Sequence, residues 1–288
     1  MENNKKFAVI GGGSWATAIA KMLCEKKKKI AWYMRSTYAL EHLKHQKHNP
    51  NYLSSVAFDT DKLQLTNDIN EAIKFADIVI FAIPSAFLSG ELEKMTESLE
   101  GKTVFSAIKG IVPETSLIVG EHFHTHFNIP YENIGVITGP CHAEEVALER
   151  LSYLTIACAD EEKAKYVAKN VSSYYIKAKT SDDIVGTEYA AVLKNIYSIA
   201  AGIAHGLGYG DNFQAVLMSN AIREMKKFIK KVHKMKRNIN DSAYLGDLLV
   251  TGYSVFSRNR MFGNMIGKGY TVKSAQMEMS MVAEGYYA

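Results

Sequence analysis

The sequence predicts a doubly wound, mostly parallel α/β sheet followed by an all-helical C-terminal domain. Three observations carry this prediction. Strand and helix patterns alternate from the first apolar run to about residue 180. A glycine-rich turn joins the first strand to the first helix. After "KTSDD" the strand signals stop, and long helical periods fill the rest of the chain.

In order, "KFAVIGGGSWATAIAKML" reads as a strand, a turn of three glycines and a helix. "KIAWYM", "ADIVIFAIP", "KTVFSAI", "NIGVIT", "YLTIACA" and "SYYIKA" read as further strands, with a weaker one at "LQLT". Helix formers on a helical period occupy "INEAIKF", "SGELEKMTESL" and "DEEKAKYVAKNV". Near Thr180 to Asp183 the character changes, which divides the chain into a first domain of residues 1–181 and a helical second domain of residues 182–288. Proline is absent beyond Pro140. The lysine run Lys26 to Lys29 suits a solvated helix end, where cations meet the C-terminal dipole. "KKFIKKVHKMKR", from Lys226 to Arg237, mixes apolar and basic positions as a surface helix does.

Of the 288 residues, 47% are hydrophobic and 22% charged, which suits a packed core and argues against disorder. The balance of 34 basic against 30 acidic residues gives only +4. That is too mild to imply nucleic acid, and the basic stretch offers only Phe228 for base stacking. An anionic small substrate remains compatible. Cys24, Cys141 and Cys158 are odd in number and widely spaced, as reduced thiols are. "MENNKKF" lacks the apolar run of a signal peptide, and no stretch is long and apolar enough to span a bilayer. A soluble cytoplasmic protein is expected.

Gly11, Gly13 and Ala16 form G-x-G-x-x-A between strand and helix. Gly11 permits the tight turn, Gly13 lets the backbone approach a pyrophosphate, and Ala16 keeps helix and strand close. The helix N-terminus offers free N–H groups to the anion. The second strand ends in Arg35, where strict NAD enzymes usually place Asp or Glu for the ribose. An arginine there accepts a 2′-phosphate or stacks on adenine, which leans towards NADP or towards tolerance of both cofactors. Pro84, Lys109 and the turn Gly139–Pro140–Cys141 each follow a strand, on the edge where open α/β sheets bind ligands.

In the helical domain, Lys194 and Asn195 interrupt "EYAAVLKNIYSIAAGIAHG", which is otherwise apolar on nearly every side. A buried amine without a partner is costly, so Lys194 reads either as a strained core residue or as a site residue. Asp247, set between Gly246 and an apolar run, reads as a partly buried carboxylate near a turn. In the stretch Ser257, Arg258, Asn259 and Arg260, arginine's planar fork suits a phosphate, but the stretch taken alone reads equally as an exposed polar turn. His122, His124 and His126 alternate without a completing ligand set, so no metal is expected. No G-x-S-x-G elbow supports a serine hydrolase.

Taken together, "GGGSWATAIA", "WYMR", "AIPS", "SAIKGI", "GPCHAEE", "GTEYAAVLKNIYSIAAGIAHGLGYGDN", "LGDLLVTG", "SRNRMFG" and "MVAEG" resemble, in this order, the motif series of NAD(P)-dependent glycerol-3-phosphate dehydrogenase. The resemblance runs from residue 7 almost to the end of the chain. It implies a Rossmann-like domain, a helical domain of the 6-phosphogluconate dehydrogenase C-terminal type, and a homodimer. It also implies interconversion of dihydroxyacetone phosphate and sn-glycerol 3-phosphate with NAD(P)H, which supplies phospholipid synthesis.

Carried over by motif, Gly11, Gly13, Ser14, Trp15, Arg35, Lys109, Ala143, Arg258, Val282 and Glu284 would contact the cofactor. Lys109, Gly139, Cys141, Lys194, Asn195, Asp247, Ser257, Arg258 and Asn259 would face the substrate. Lys194 would be the catalytic proton donor or acceptor, with Lys109 and Asp247 beside it. Four positions depart from the family pattern. Cys141 stands for Ser or Thr, His205 for an acid, Gly252 for Cys, and "NPNYLSS" lacks the usual loop proline. The chain ends at Ala288, where relatives continue through further helix, so a short member or a truncated chain is expected.

Overall fold

The computed structural model describes residues 4–27, 29–279 and 281–288. Lys28, in the middle of the lysine run, lies outside the described residues. The strands are β1 (Phe7–Ile10), β2 (Ile30–Tyr33), β3 (Leu63–Thr66), β4 (Ile78–Phe81), β5 (Thr103–Ser106), β6 (Ile111–Val112), β7 (Leu117–Ile118), β8 (Ile134–Thr138), β9 (Ser152–Cys158) and β10 (Ile176–Ser181). Eight of them form one sheet in the order β10-β9-β8-β5-β4-β1-β2-β3. All neighbours pair parallel except β8 and β9, so β9 and β10 run against the other six.

The helices of this part are α1 (Ser14–Cys24), α2 (Thr37–Gln46), α3 (Ile69–Phe75), α4 (Leu88–Leu92), α5 (Val119–Phe127), α6 (Ala143–Ala147) and α7 (Glu161–Val171). The central strands are apolar on both faces because helices cover both. Phe7 and Val9 point into one core with Trp32, Ile80 and Phe105, while Ala8 and Ile10 point into another with Phe81 and Phe123. The chain winds outward from β1 to β3 and then returns to β4 on the other side of β1. The crevice where strand order reverses therefore opens between the ends of β1 and β4.

Two local features are not expected from the sequence. β6 and β7 form a two-stranded hairpin across "PETS", with two residues per strand, too short to carry a period. In "SGELEKMTESL" the helix α4 stops at Leu92, and a short turn and irregular chain follow.

β10 ends at Ser181, and Asp183 caps α8 (Ile184–Gly206) by accepting from the Gly186 amide at 2.9 Å. There follow α9 (Asp211–Val232), α10 (Asp247–Tyr253), α11 (Arg258–Gly267) and α12 (Val272–Glu278). The basic stretch is helical only to Val232. Beyond it, Arg237 folds back onto Asp183, Nε to Oδ2 at 2.5 Å and Nη2 to Oδ1 at 2.8 Å.

Helix α8 is the axis of this part, and α11 lies directly on it. A Cβ on Gly202 would stand 2.1 Å from the Arg260 carbonyl oxygen, and one on Gly263 would stand 2.1 Å from the Ile199 carbonyl oxygen. Only glycine lets two helix backbones approach this closely. The contact fixes the N-terminus of α11 beside the middle of α8. Among the described residues, no helix is long and apolar enough to cross a membrane.

Candidate active site

Two adjoining cavities open at the sheet crevice. The outer one, about 600 Å³, is bounded by Gly11, Gly13, Arg35, Pro84, Arg258 and Val282. The inner one, about 120 Å³, shares Gly13, Ser14, Pro84, Arg258 and Val282 with it and reaches Lys109 and Lys194.

The glycine turn is built for close approach. Gly11 has φ +136°, and a Cβ there would stand 2.4 Å from the Ala82 carbonyl oxygen, so β1 and β4 can meet only through glycine. At Gly13 a Cβ would meet nothing within 4 Å, so its lack of a side chain keeps space open rather than relieving a protein contact. Among the described residues no side chain caps α1, and its first turn carries no acid, which leaves its N–H groups to an anion. The Trp15 Nε1 is buried and meets no partner among the described residues. These features fit a dinucleotide pyrophosphate on the turn. Asn49, fully buried, braces the turn by donating to the Gly12 carbonyl at 3.1 Å and to Thr17 Oγ1 at 2.9 Å.

At the outer end, Arg35 is exposed and lies 3.8 Å from Glu91. Glu91 is buried and accepts from the Tyr33 hydroxyl at 2.5 Å and from Lys94 at 2.9 Å. Burial and this carboxylate push the Tyr33 phenol well above its usual range.

The inner cavity holds the charged group that the sequence made conspicuous. Lys194 is 4% exposed and donates to Asp247 Oδ1 at 2.5 Å. Burial lowers its pKa to about 8, with Lys109 adding to the fall and Asp247 opposing it. Asp247 follows directly on a turn of π-helix, Ser242–Gly246, a distortion that often accompanies functional positions. Its Oδ2 is buried and meets no partner among the described residues, and Thr251 Oγ1 reaches Oδ1 at 3.5 Å.

One turn beyond Lys194, Ser198 donates to the Thr251 carbonyl and pairs with Ser257 Oγ, both at 2.8 Å. Ser257 caps α11 by accepting from the Arg260 amide at 3.3 Å, which turns Arg258 and Asn259 into the cavity's edge. Asn195 donates to the Lys109 carbonyl at 2.8 Å, linking α8 to the segment after β5. The Lys109 ammonium lies 5.0 Å over the Trp15 ring. Asn259 Oδ1 accepts from the Gly285 amide at 2.9 Å and so brings Val282 and Glu284 over the cleft.

The structure thus gathers Gly11, Gly13, Ser14, Trp15, Arg35, Lys109, Cys141, Ala143, Lys194, Asn195, Ser257, Arg258, Asn259, Val282 and Glu284 along the two cavities. Two expected residues do not line them. Gly139 is buried beneath, at φ +117°, with a Cβ position 2.8 Å from the Tyr153 carbonyl oxygen. Asp247 stands behind Lys194. Burial pushes the Cys141 thiol up to about 12, so it is a neutral contact rather than a nucleophile. Sequence reasoning missed Asn49, Glu91 and His142.

A dinucleotide turn at a sheet crevice, closed by a helical domain that carries a buried lysine, defines a nicotinamide-dependent dehydrogenase. Comparison with known proteins narrows the class. Family models of the NAD-dependent glycerol-3-phosphate dehydrogenase N-terminus and C-terminus match residues 6–164 and 183–288. The chain belongs to this family. Its relatives include the glycerol-3-phosphate dehydrogenase [NAD(P)+] of Streptococcus uberis, 32% identical over 98% of this chain and 84% of that protein. The enzyme of the same name from Macrococcus caseolyticus is 34% identical over 97% and 85%. The crystal structure of glycerol-3-phosphate dehydrogenase from Coxiella burnetii superposes with a TM-score of 0.89 at 26% identity, covering 98% of this chain and 86% of that one.

Proposed function

We propose that the protein interconverts dihydroxyacetone phosphate and sn-glycerol 3-phosphate with NAD(P)H, acting in the cytoplasm as a homodimer and supplying glycerol 3-phosphate to phospholipid synthesis. In this reading residues 1–181 bind the cofactor, and residues 182–288 bring the acid–base and phosphate-binding groups. The observation that carries it is Lys194, a lysine buried against Asp247 yet facing a polar cavity beside Lys109 and Arg258. Gly11, Gly13 and the open end of α1 would hold the pyrophosphate, and Arg35 the adenosine end. Val282 and Glu284 would close over the cofactor from the helical side. When bound, the reduced nicotinamide supplies the hydride.

The chain's own work is to orient the ketone and deliver a proton. Arg258, Asn259 and Lys109 hold the substrate phosphate, which carries close to two negative charges at neutral pH. Lys194 is protonated at neutral pH, because its lowered pKa still lies above it. Its ammonium therefore gives a proton to the carbonyl oxygen as negative charge develops there. In the reverse direction the neutral amine takes that proton back. Asp247 keeps Nζ in place and holds its pKa from falling further.

The test is substrate-dependent oxidation of NADH and NADPH by the purified protein. Dihydroxyacetone phosphate supports turnover, and unphosphorylated dihydroxyacetone does so far more weakly. Equal turnover of the two would remove the phosphate-binding role of the Ser257–Asn259 segment.

A further inference from the structure

His142 follows Cys141 after β8 and occupies the N-cap position of α6. It lines the inner cavity with Lys109, Lys194 and Arg258, and the Phe256 ring lies 6.1 Å from its own. Its Nε2 is buried, and no group among the described residues meets it. A buried ring nitrogen without a partner is costly, and in a cavity that takes a polar ligand the ligand is the group to satisfy it.

Three polar groups of the substrate need partners: the phosphate, the carbonyl and the free primary hydroxyl. The cations and Asn259 suit the phosphate, and Lys194 suits the carbonyl. The hydroxyl is neutral and both gives and accepts a hydrogen bond, so a neutral imidazole matches it better than another cation. We propose that His142 is a specificity-determining residue whose Nε2 hydrogen-bonds the free hydroxyl of dihydroxyacetone phosphate.

This role rests on the reaction proposed above. Burial, reinforced by Lys109, Lys194 and Arg258 and opposed by Asp247, lowers the His142 pKa to about 4. The ring is therefore neutral through the physiological range and adds no charge to the phosphate site.

The experiment compares dihydroxyacetone phosphate with the methyl ketone phosphate that carries hydrogen in place of the free hydroxyl. Both substrates are given to wild type, His142→Phe and His142→Gln, with NADH affinity measured as a check on folding. His142→Leu replaces the phenylalanine variant if that one is insoluble. Wild type prefers the hydroxylated substrate in kcat/KM by roughly tenfold or more. His142→Phe lowers kcat/KM for that substrate about tenfold and leaves the deoxy analogue within about twofold. His142→Gln, which keeps a donor and an acceptor, restores most of the preference. Equal losses on both substrates, or no preference in wild type, overturn the role of His142. Wild type inactive on both removes the reaction itself, and this role with it.

Discussion

Lys194 and Asp247, 53 residues apart in sequence and on different helices, meet at 2.5 Å behind the inner cavity, where both are almost wholly out of water. The lysine is the member that faces the cavity, and the aspartate is its backing. The two influences on the lysine are opposed: burial lowers its pKa and the carboxylate raises it.

The sign of a pH effect follows. Ketone reduction needs protonated Lys194, so its rate is full below the pKa of about 8 and falls as pH rises through it. Alcohol oxidation needs the neutral amine and rises over the same window. Asp247→Asn removes the influence that raises the pKa, so the alkaline limb for reduction moves to lower pH. Profiles of kcat/KM for the two proteins check this, and an unmoved limb counts against the pairing.

Arg35 is the exposed cation at the outer end of the larger cavity, with Glu91 3.8 Å away as its nearest counter-charge. Arg35→Ala weakens NADPH by about tenfold, the scale of one charge-assisted hydrogen bond, and NADH by less. Titrations of both cofactors against both proteins measure the difference. Equal loss for the two would assign Arg35 to the adenine ring instead.

Glu188 is buried in α8, and both of its oxygens accept from the Gly120 amide, at 3.0 and 3.1 Å. Burial raises its pKa from 4.5 to about 8. The folded chain therefore binds this proton more tightly than the unfolded chain. Stability is undiminished below pH 4.5 and declines as pH rises towards 8, where the buried carboxyl ionises. Glu188→Gln keeps an acceptor for Gly120 without the charge, so its melting temperature gains on wild type as pH increases across that window. Parallel melting curves over that range decide it.

The α8–α11 crossing leaves no room for a methyl group at Gly263, whose Cβ would meet backbone on the other helix. Gly263→Ala costs about 1–3 kcal/mol by overpacking and pushes the Arg258 end of α11 away from α8. Denaturant unfolding gives the first effect. A rise in KM for the phosphorylated substrate, with cofactor affinity kept, gives the second.

Much of the fold was legible because its strands are buried on both faces and read as plain apolar runs, as "FAVI" and "IVIF" do. The β6–β7 hairpin was not, since two residues have no period. Lys194 could be singled out because a charge in an apolar helix is a local contradiction, but its place in a site, and Asp247 as its partner, came only with the motif series. Asn49 and Glu91 could not be read. Each is a polar residue in a turn or a short helix, where polar residues are ordinary, and only tertiary packing buries them. Arg237 shows the reverse error: a basic run looked solvated throughout, yet this member folds back onto Asp183.

The most direct test of Lys194 as the proton donor is its alanine variant under saturating cofactor and dihydroxyacetone phosphate. The account predicts a loss of kcat on the order of 10²–10⁴-fold, with NADH and NADPH bound as tightly as by wild type. A Lys194→Ala enzyme that keeps kcat near the wild-type value would contradict it.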